Sequence, residues 1–405
     1  MSSFSIALSG LTAASSDLDV TANNIANADT VGFKSSTVEF ADIYASGGAT
    51  VSSTSVGEGV TVAATAQQFT QGNITTTGGN LDLAISGNGF FTLQDPSGYE
   101  YTRNGTFSVD NQGNVVTATG QYLQVYPPLT TGGFNDGALT KLNLNTGESA
   151  ANPTTGGTVI LNLPANDTPP TGGAFSATNS ATYNQSTATT VYDSLGNAYS
   201  ATLFFVNTAP NAWTTYMNVG GQTLGPQNLT FNPNGTLATP ATGAVDFGTF
   251  TPTNGASPED LTFNFKDSTQ QASTFGVTAI TQNGYAPGLL STVSINSTGI
   301  VSAVYTNGQS AQLGQIAMAN FPDPQGLAQL GNTNWASTYQ SGVPVQGTAG
   351  SAGFGNIQSG ALESSNVDLT TELVNMITAQ RAFDSNAQVI TTANQLSQTV
   401  INITH

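Results

Sequence analysis

Few residues in this sequence could carry out chemistry. The 405-residue chain has one histidine, His405, and no cysteine. That removes most acid–base and nucleophilic arrangements, together with disulfides and thiol-ligated metals. Serine–aspartate pairs are common only because serine is abundant. Gly347, Gly350, Gly353 and Gly355 superficially suggest a phosphate-binding loop. No lysine follows them and the strand–loop–helix order is wrong, so they read as flexible linker. The turn Asp110–Asn114 lacks the acidic series and closing glutamate of a calcium loop. Asn-x-Ser/Thr triplets such as those at Asn73, Asn104 and Asn228 are expected by chance in this composition. The sequence is therefore expected to be no enzyme and to use no cofactor or metal.

Arg381 is the exception. It is the one cation between Lys266 and the C-terminus, in a stretch otherwise poor in charge. It could pair with Asp384 three positions on, worth about 0.5 kcal/mol. It could instead make a fixed bond across a subunit interface. Spacing alone leaves both readings open.

The stretch that carries Arg381 runs from Leu362 to Ile403 without proline or glycine, in a chain with 45 Gly and 17 Pro. Leu369, Leu373, Met376, Gln380, Phe383, Ala387, Ile390, Ala393, Leu396, Val400 and Ile403 recur at steps of three and four. That pattern predicts one helix with an apolar stripe, on the order of 60 Å long. At the other end, Phe4, Leu8, Leu11, Ser15, Leu18, Ala22 and Ile25 follow a heptad register. Two terminal helices with matching seams predict coiled-coil-like pairing. Two ordinary amphipathic core helices would give the same short pattern.

Charged residues make up 7% of the chain, against a usual level of about 25%. The net charge is −18, and the five cations, Lys34, Arg103, Lys141, Lys266 and Arg381, form no patch. Nucleic acid and anionic membrane are therefore poor partners. No basic segment precedes an apolar run at the N-terminus, so no Sec-type signal is expected, and no run is long enough to insert in a membrane.

Between the helices the sequence reads as short strands cut by turns, such as DLAISGNGFFTLQ from Asp82 and DSLGNAYSATLFFVN from Asp193. The expected fold class is multidomain α+β, with paired long terminal helices and two mainly antiparallel β domains, the outer inserted in the inner. The expected limits are 1–35 and 360–405 for the helical domain, and 36–70 and 345–359 for an extended connector. The inner β domain takes 71–145 and 281–344, and the outer takes 146–280.

SGLTAASSDLDVTANNIANADTVGFK, Ser9 to Lys34, resembles the N-terminal signature of the bacterial flagellar axial proteins, the rod and hook subunits. SGALESSNVDLTTELVNMITAQRAFDSNAQVI, Ser359 to Ile390, resembles their C-terminal signature. LDLAISGNGFFTL and YTRNGTFSVDNQGN are similar to their inner β domain, and TTVYDSLGNAYSATLFFV to the outer domain of the hook subunits. The resemblance covers nearly the whole chain and departs most over Pro127 to Phe175.

The resemblance implies a helical homopolymer: a short curved hollow tube that joins rod to filament as a universal joint and serves as an export conduit. It implies export through the flagellar type III apparatus without a cleaved signal peptide, and an extracellular place in the hook. Implied partners are the distal rod protein, the hook cap protein and the hook–filament junction protein. At the N-terminal end the residues that match the family motif are Asn23, Asn24, Ile25, Ala26, Asn27, Gly32, Phe33 and Lys34, and the heptad positions Leu8, Leu11 and Leu18 are expected to join them in assembly. At the C-terminal end Glu372, Asn375, Met376, Gln380, Arg381 and Asn386 match the motif, and Leu369, Leu373, Ile377, Phe383, Ile390 and Leu396 are expected to join them in assembly. Asn366 and Val367 also match. The last helix is expected to line the bore with uncharged polar residues, among them Ser365, Thr371, Asn375, Thr378, Ser385, Thr392 and Gln395, and to turn its stripe against the N-terminal helices. A distal rod-type protein shares both ends but would lack the middle domain. A secreted β-rich adhesin would share only the composition.

Overall fold

The computed structural model describes residues 2–43, 57–145 and 147–403. Residues 44–56 of the expected connector, and His405, lie outside the described residues. The chain divides into two compact units, one of residues 1–145, 293–303 and 311–405, the other of 146–292 and 304–310. No helix among the described residues is long and apolar enough to cross a membrane.

The second unit is built from two five-stranded sheets. One is an antiparallel meander of Gln185–Tyr192, Ala198–Ala209, Ala212–Val219, Gln222–Phe231 and Leu237–Thr239. In the other, Gly156–Pro164 runs antiparallel to Gly276–Gln282 and parallel to Glu259–Asn264 and Thr269–Gln271. Strict alternation decides which side chains go inside: in Ala212–Val219 every second residue, from Trp213 to Val219, is buried. These side chains join Phe205, Phe247, Phe263 and Phe265 in one core. Burying a phenylalanine such as Phe205 contributes about 1.5–3 kcal/mol.

The first unit holds the two long helices, α1 (Ser2–Ala26) and α2 (Leu369–Ile403), packed together. A two-stranded antiparallel ribbon, β1 (Ser36–Ile43) and β2 (Gly59–Gln67), follows α1 and packs against it. The rest is mainly antiparallel β structure around Phe90–Asp95, Tyr122–Tyr126 and Ser310–Asn320. Its core is Ile85, Phe91, Leu93, Leu123, Ile316 and Met318 with their neighbours. A smaller aromatic core sets Phe90, Tyr101, Phe321 and Trp335 edge to face. The α+β class with paired terminal helices is as the sequence implied.

Three local expectations change. The last helix begins at Leu369, not Leu362: Ala361–Glu363 is a strand paired with Ile74–Thr76. Asp368 caps α2, its carboxylate accepting from the backbone N–H groups of Thr370 at 2.8 Å and Thr371 at 3.0 Å, a cap worth about 1 kcal/mol. The glycine-rich approach is not a flexible linker, because Val345–Thr348 pairs with Ala317–Asn320 and Ala349 is buried.

The third change concerns the helix seam. The heptad of α1 is only partly covered: Phe4, Leu8 and Ala22 are exposed, while Leu11, Ser15, Leu18 and Ile25 are half-buried. The most buried positions of α1 are instead small residues, Ala7, Ala13, Ala14 and Thr21 among them. Gly10 lies directly under Asn386: a Cβ there would sit 2.7 Å from the Asn386 Oδ1. Small residues let the two backbones approach closely.

Candidate assembly site

The two helices leave the β structure through one buried knot of polar contacts. Its centre is Glu363, fully buried on the strand that precedes α2. One carboxylate oxygen accepts from Lys34 Nζ at 2.5 Å and from the Gly72 backbone N–H at 2.9 Å. The other accepts from Arg103 Nη1 at 3.1 Å. Lys34 Nζ also donates to the Thr70 carbonyl at 2.8 Å, and Arg103 Nη2 to the Gly87 carbonyl at 2.8 Å. The Arg103 guanidinium lies 5.4 Å from the centre of the Phe90 ring. A chain with five cations thus places two of them around one buried carboxylate.

Burial pushes the Lys34 ammonium and the Arg103 guanidinium below their usual ranges, while the charge and hydrogen bonds of Glu363 hold them up. Removing one partner of such a buried set costs about 3–5 kcal/mol, because the others stay buried without it.

Backbone contacts tighten the knot. The Gly32 N–H donates to the Glu363 carbonyl at 2.8 Å. Gly32 has φ +71°, and a Cβ there would sit 2.6 Å from the Asn104 backbone nitrogen, so both conformation and space require glycine. The Asn24 side chain exchanges two bonds with the backbone of Ser36, donating at 2.8 Å and accepting at 2.9 Å, which fixes the start of β1 to the end of α1. Asn366 accepts from the Ser35 N–H at 2.8 Å and donates to the Gln68 carbonyl at 2.7 Å. Four segments distant in sequence are thereby locked together: the exit of α1, the end of the β1–β2 ribbon, the Arg103 loop and the lead into α2.

The sequence-derived residues fall into three places. Asn24, Gly32 and Lys34 belong to the knot, with Asn27 bonding Thr30 and the Asn23 carbonyl beside it. Glu372, Met376, Phe383, Asn386 and Ile390 are half-buried on the face of α2 that meets α1; Leu11, Leu18, Ile25 and Phe33 are half-buried as well. Leu8, Asn23, Leu369, Leu373, Asn375, Ile377, Gln380, Arg381 and Leu396 are exposed. Leu8 and Ile377 are each 48% exposed and Leu396 63%. The expected polar positions Thr371, Asn375, Thr378, Ser385, Thr392 and Gln395 are exposed on α2, but Ser365 is buried ahead of the helix. Arg381 makes no ion pair with Asp384; the ion pairs among the described residues are the two at Glu363.

The pattern of spacing missed Glu363 and Arg103. Both stand inside the family-like stretches, and Arg103 is one of only five cations. Rarity of charge was the signal available. The site has no nucleophile and no proton-transfer group aimed at a cavity; what it can do is hold geometry.

Four family models match the chain in order. They are Flagella basal body rod protein over residues 4–34, Flagellar hook protein FlgE/F/G D1 domain over 84–159, Flagellar basal body protein FlaE D2 domain over 162–285, and Flagellar basal body rod FlgEFG protein C-terminal over 358–403. The chain is 43% identical to flagellar hook protein FlgE of Salmonella typhimurium, over 99% of this chain and 100% of that one. It is also 43% identical to the protein of the same name from Escherichia coli K12, over 99% of each. The Rhizobium meliloti relative is 35% identical over 98% and 97%. The crystal structure of Helicobacter pylori flagellar hook protein FlgE2 shares the fold with a TM-score of 0.53 at 14% identity, covering 72% of this chain and 100% of that one.

Proposed function

The chain belongs to the flagellar hook protein family, as a structural subunit of the hook and not an enzyme, and we propose that it polymerises through the outward sides of its two terminal helices. In this reading residues 1–35 and 360–405 form the tube wall. Residues 71–145 with 281–344 form an inner β domain, and 146–280 an outer one inserted in it. The polymer stands outside the cell, and its subunits travel through the flagellar type III apparatus without a cleaved signal. It meets the distal rod protein, the hook cap protein and the hook–filament junction protein at its ends.

One observation carries the reading. Among the described residues the helix pair leaves large apolar side chains exposed, Leu8, Leu373, Ile377 and Leu396 among them. Exposed apolar side chains clustered on one element mark an interaction surface. The knot at Glu363 serves that surface by fixing how the helix pair leaves the β structure. The test is Leu8→Ser with Ile377→Ser, followed by electron microscopy of purified protein under assembly conditions. Tubes should disappear while the unfolding midpoint of the second unit stays unchanged. Tubes at the normal yield would defeat the reading.

A further inference from the structure

The outward sides of α1 and α2 carry matching patterns. On α1, Phe4, Leu11 and Asp19 share one face, seven and then eight positions apart. On α2, Leu396, Val389 and Arg381 share a face that flanks the Asn386 contact and turns away from it toward Arg381, again seven and then eight positions apart but in the reverse direction. Leu11 is half-buried and the others are exposed. Laid antiparallel, the two faces set Phe4 against Leu396, Leu11 against Val389, and the Asp19 carboxylate against the Arg381 guanidinium.

Charge points the same way. Arg381 is the single cation of the two terminal helices, and neither it nor Asp19 is in an ion pair within the described residues. Asp19 also rims a groove of about 420 Å³, whose other walls include the amides of Asn23, Gln67 and Gln325. The Gln67 and Gln325 amide oxygens already accept from Trp335 and from the Gln67 backbone, which leaves the Asp19 carboxylate as the charged acceptor at that rim for a guanidinium, which donates through five N–H groups. Direction fits as well. The chain end of α1 and the start of α2 meet at the knot, while Gly10 meets Asn386 far from it, so the helices are antiparallel within one chain. Copies stacked in a common orientation therefore bring α2 of one antiparallel to α1 of the next.

We propose that α2 of one copy docks on α1 of a second copy in this register, with Arg381 bonded to Asp19 across the interface. This rests on the reading of the helix pair as the assembly surface. The apolar contacts supply the attraction, and the single opposite-charge pair sets the register, since a slip leaves the only cation without its carboxylate.

Two experiments test it. Asp19→Lys and Arg381→Glu should each lower tube yield several-fold, and the double variant should recover most of the loss. A double variant no better than the worse single one would overturn the register. The chain has no cysteine, so Ser15→Cys with Ser385→Cys, which face each other in the same register, gives a clean cross-link. Oxidised tubes should run as a ladder of covalent multimers on a denaturing gel; monomers alone would overturn the proposal. If Leu8→Ser with Ile377→Ser abolishes tubes while the ladder and the rescue both fail, the assembly surface stands and this register falls. If that apolar variant still forms tubes, the assembly reading itself falls.

Discussion

Phe205, Trp213 and Met217 in the second unit are buried by neighbours from the same unit, whereas Leu8, Ile377 and Leu396 on the terminal helices stand half exposed or more. The two regions have similar apolar material and dispose of it differently. A sandwich closes on itself, because alternation sends every second residue to a shared interior. A pair of helices has only one mutual seam, and here the most buried positions of α1 are small residues, with Gly10 directly under Asn386. Large side chains stay exposed among the described residues, where another molecule can cover them. The second unit is complete as a single chain, and the helix pair is completed by copies.

The sharpest test of that contrast is at the knot. Glu363→Ala strands two buried cations and should cost about 3–5 kcal/mol in the first unit. Hydrogen exchange should show α1 and α2 loosened and the sandwich unchanged. Exchanging the whole set, Lys34→Met, Arg103→Met and Glu363→Leu, should recover much of the loss. The reciprocal change is Phe205→Ala, with a cavity cost of about 3–5 kcal/mol. Limited proteolysis should then cut within 146–292 and spare the knot. If either change melts both regions together, the two are not independent.

A smaller effect sets two carboxyls of the second unit against each other by pH. Burial, and then the charges of Asp193 and Asp260, push the Glu259 carboxyl above its usual range. A carboxyl value raised by folding stabilises only while protonated, and that contribution is lost as pH rises through the folded value. Glu259→Gln should therefore raise the unfolding midpoint of the second unit at pH 7, and the gain should vanish in acid. Asp193 has the opposite sign. Burial pushes its carboxyl up, but hydrogen bonds from Asn254, Asn197 and Leu195 outweigh this and hold it below its usual range. Its contribution is present at neutral pH and lost as pH falls, so Asp193→Asn should cost most where Glu259→Gln gains most. Calorimetry across pH 3–8 would show both trends.

Much of this was legible in the residues, and the failures have physical causes. Both helices and the antiparallel strands follow from periods of 3.6 and 2. The start of α2 was misplaced because Ser364, Ser365, Asn366 and Asp368 can all cap a helix, and nothing in Leu362–Val367 breaks one. The seam was misread because a heptad count finds large side chains, while Ala7, Gly10 and Ala14 are chosen for closeness. Lys34 was found through resemblance. Its carboxylate was not, because a pairing across hundreds of positions leaves no mark on local spacing.

That separation has a consequence in time. Lys34 and Glu363 stand 329 positions apart, and Arg103 and Glu363 260. Contacts so remote are costly to close until the chain between them has already become compact. The expected order is that the sandwich and the inner strands fold first and the knot closes last, which pulsed hydrogen exchange during refolding would show as late protection of α1. Until the segment bearing Glu363 arrives, both cations lack their counter-charge and α1 has no firm anchor. In that order a subunit would present its ordered helix pair for assembly only once nearly all of its chain is in place, delaying self-association to the end of folding.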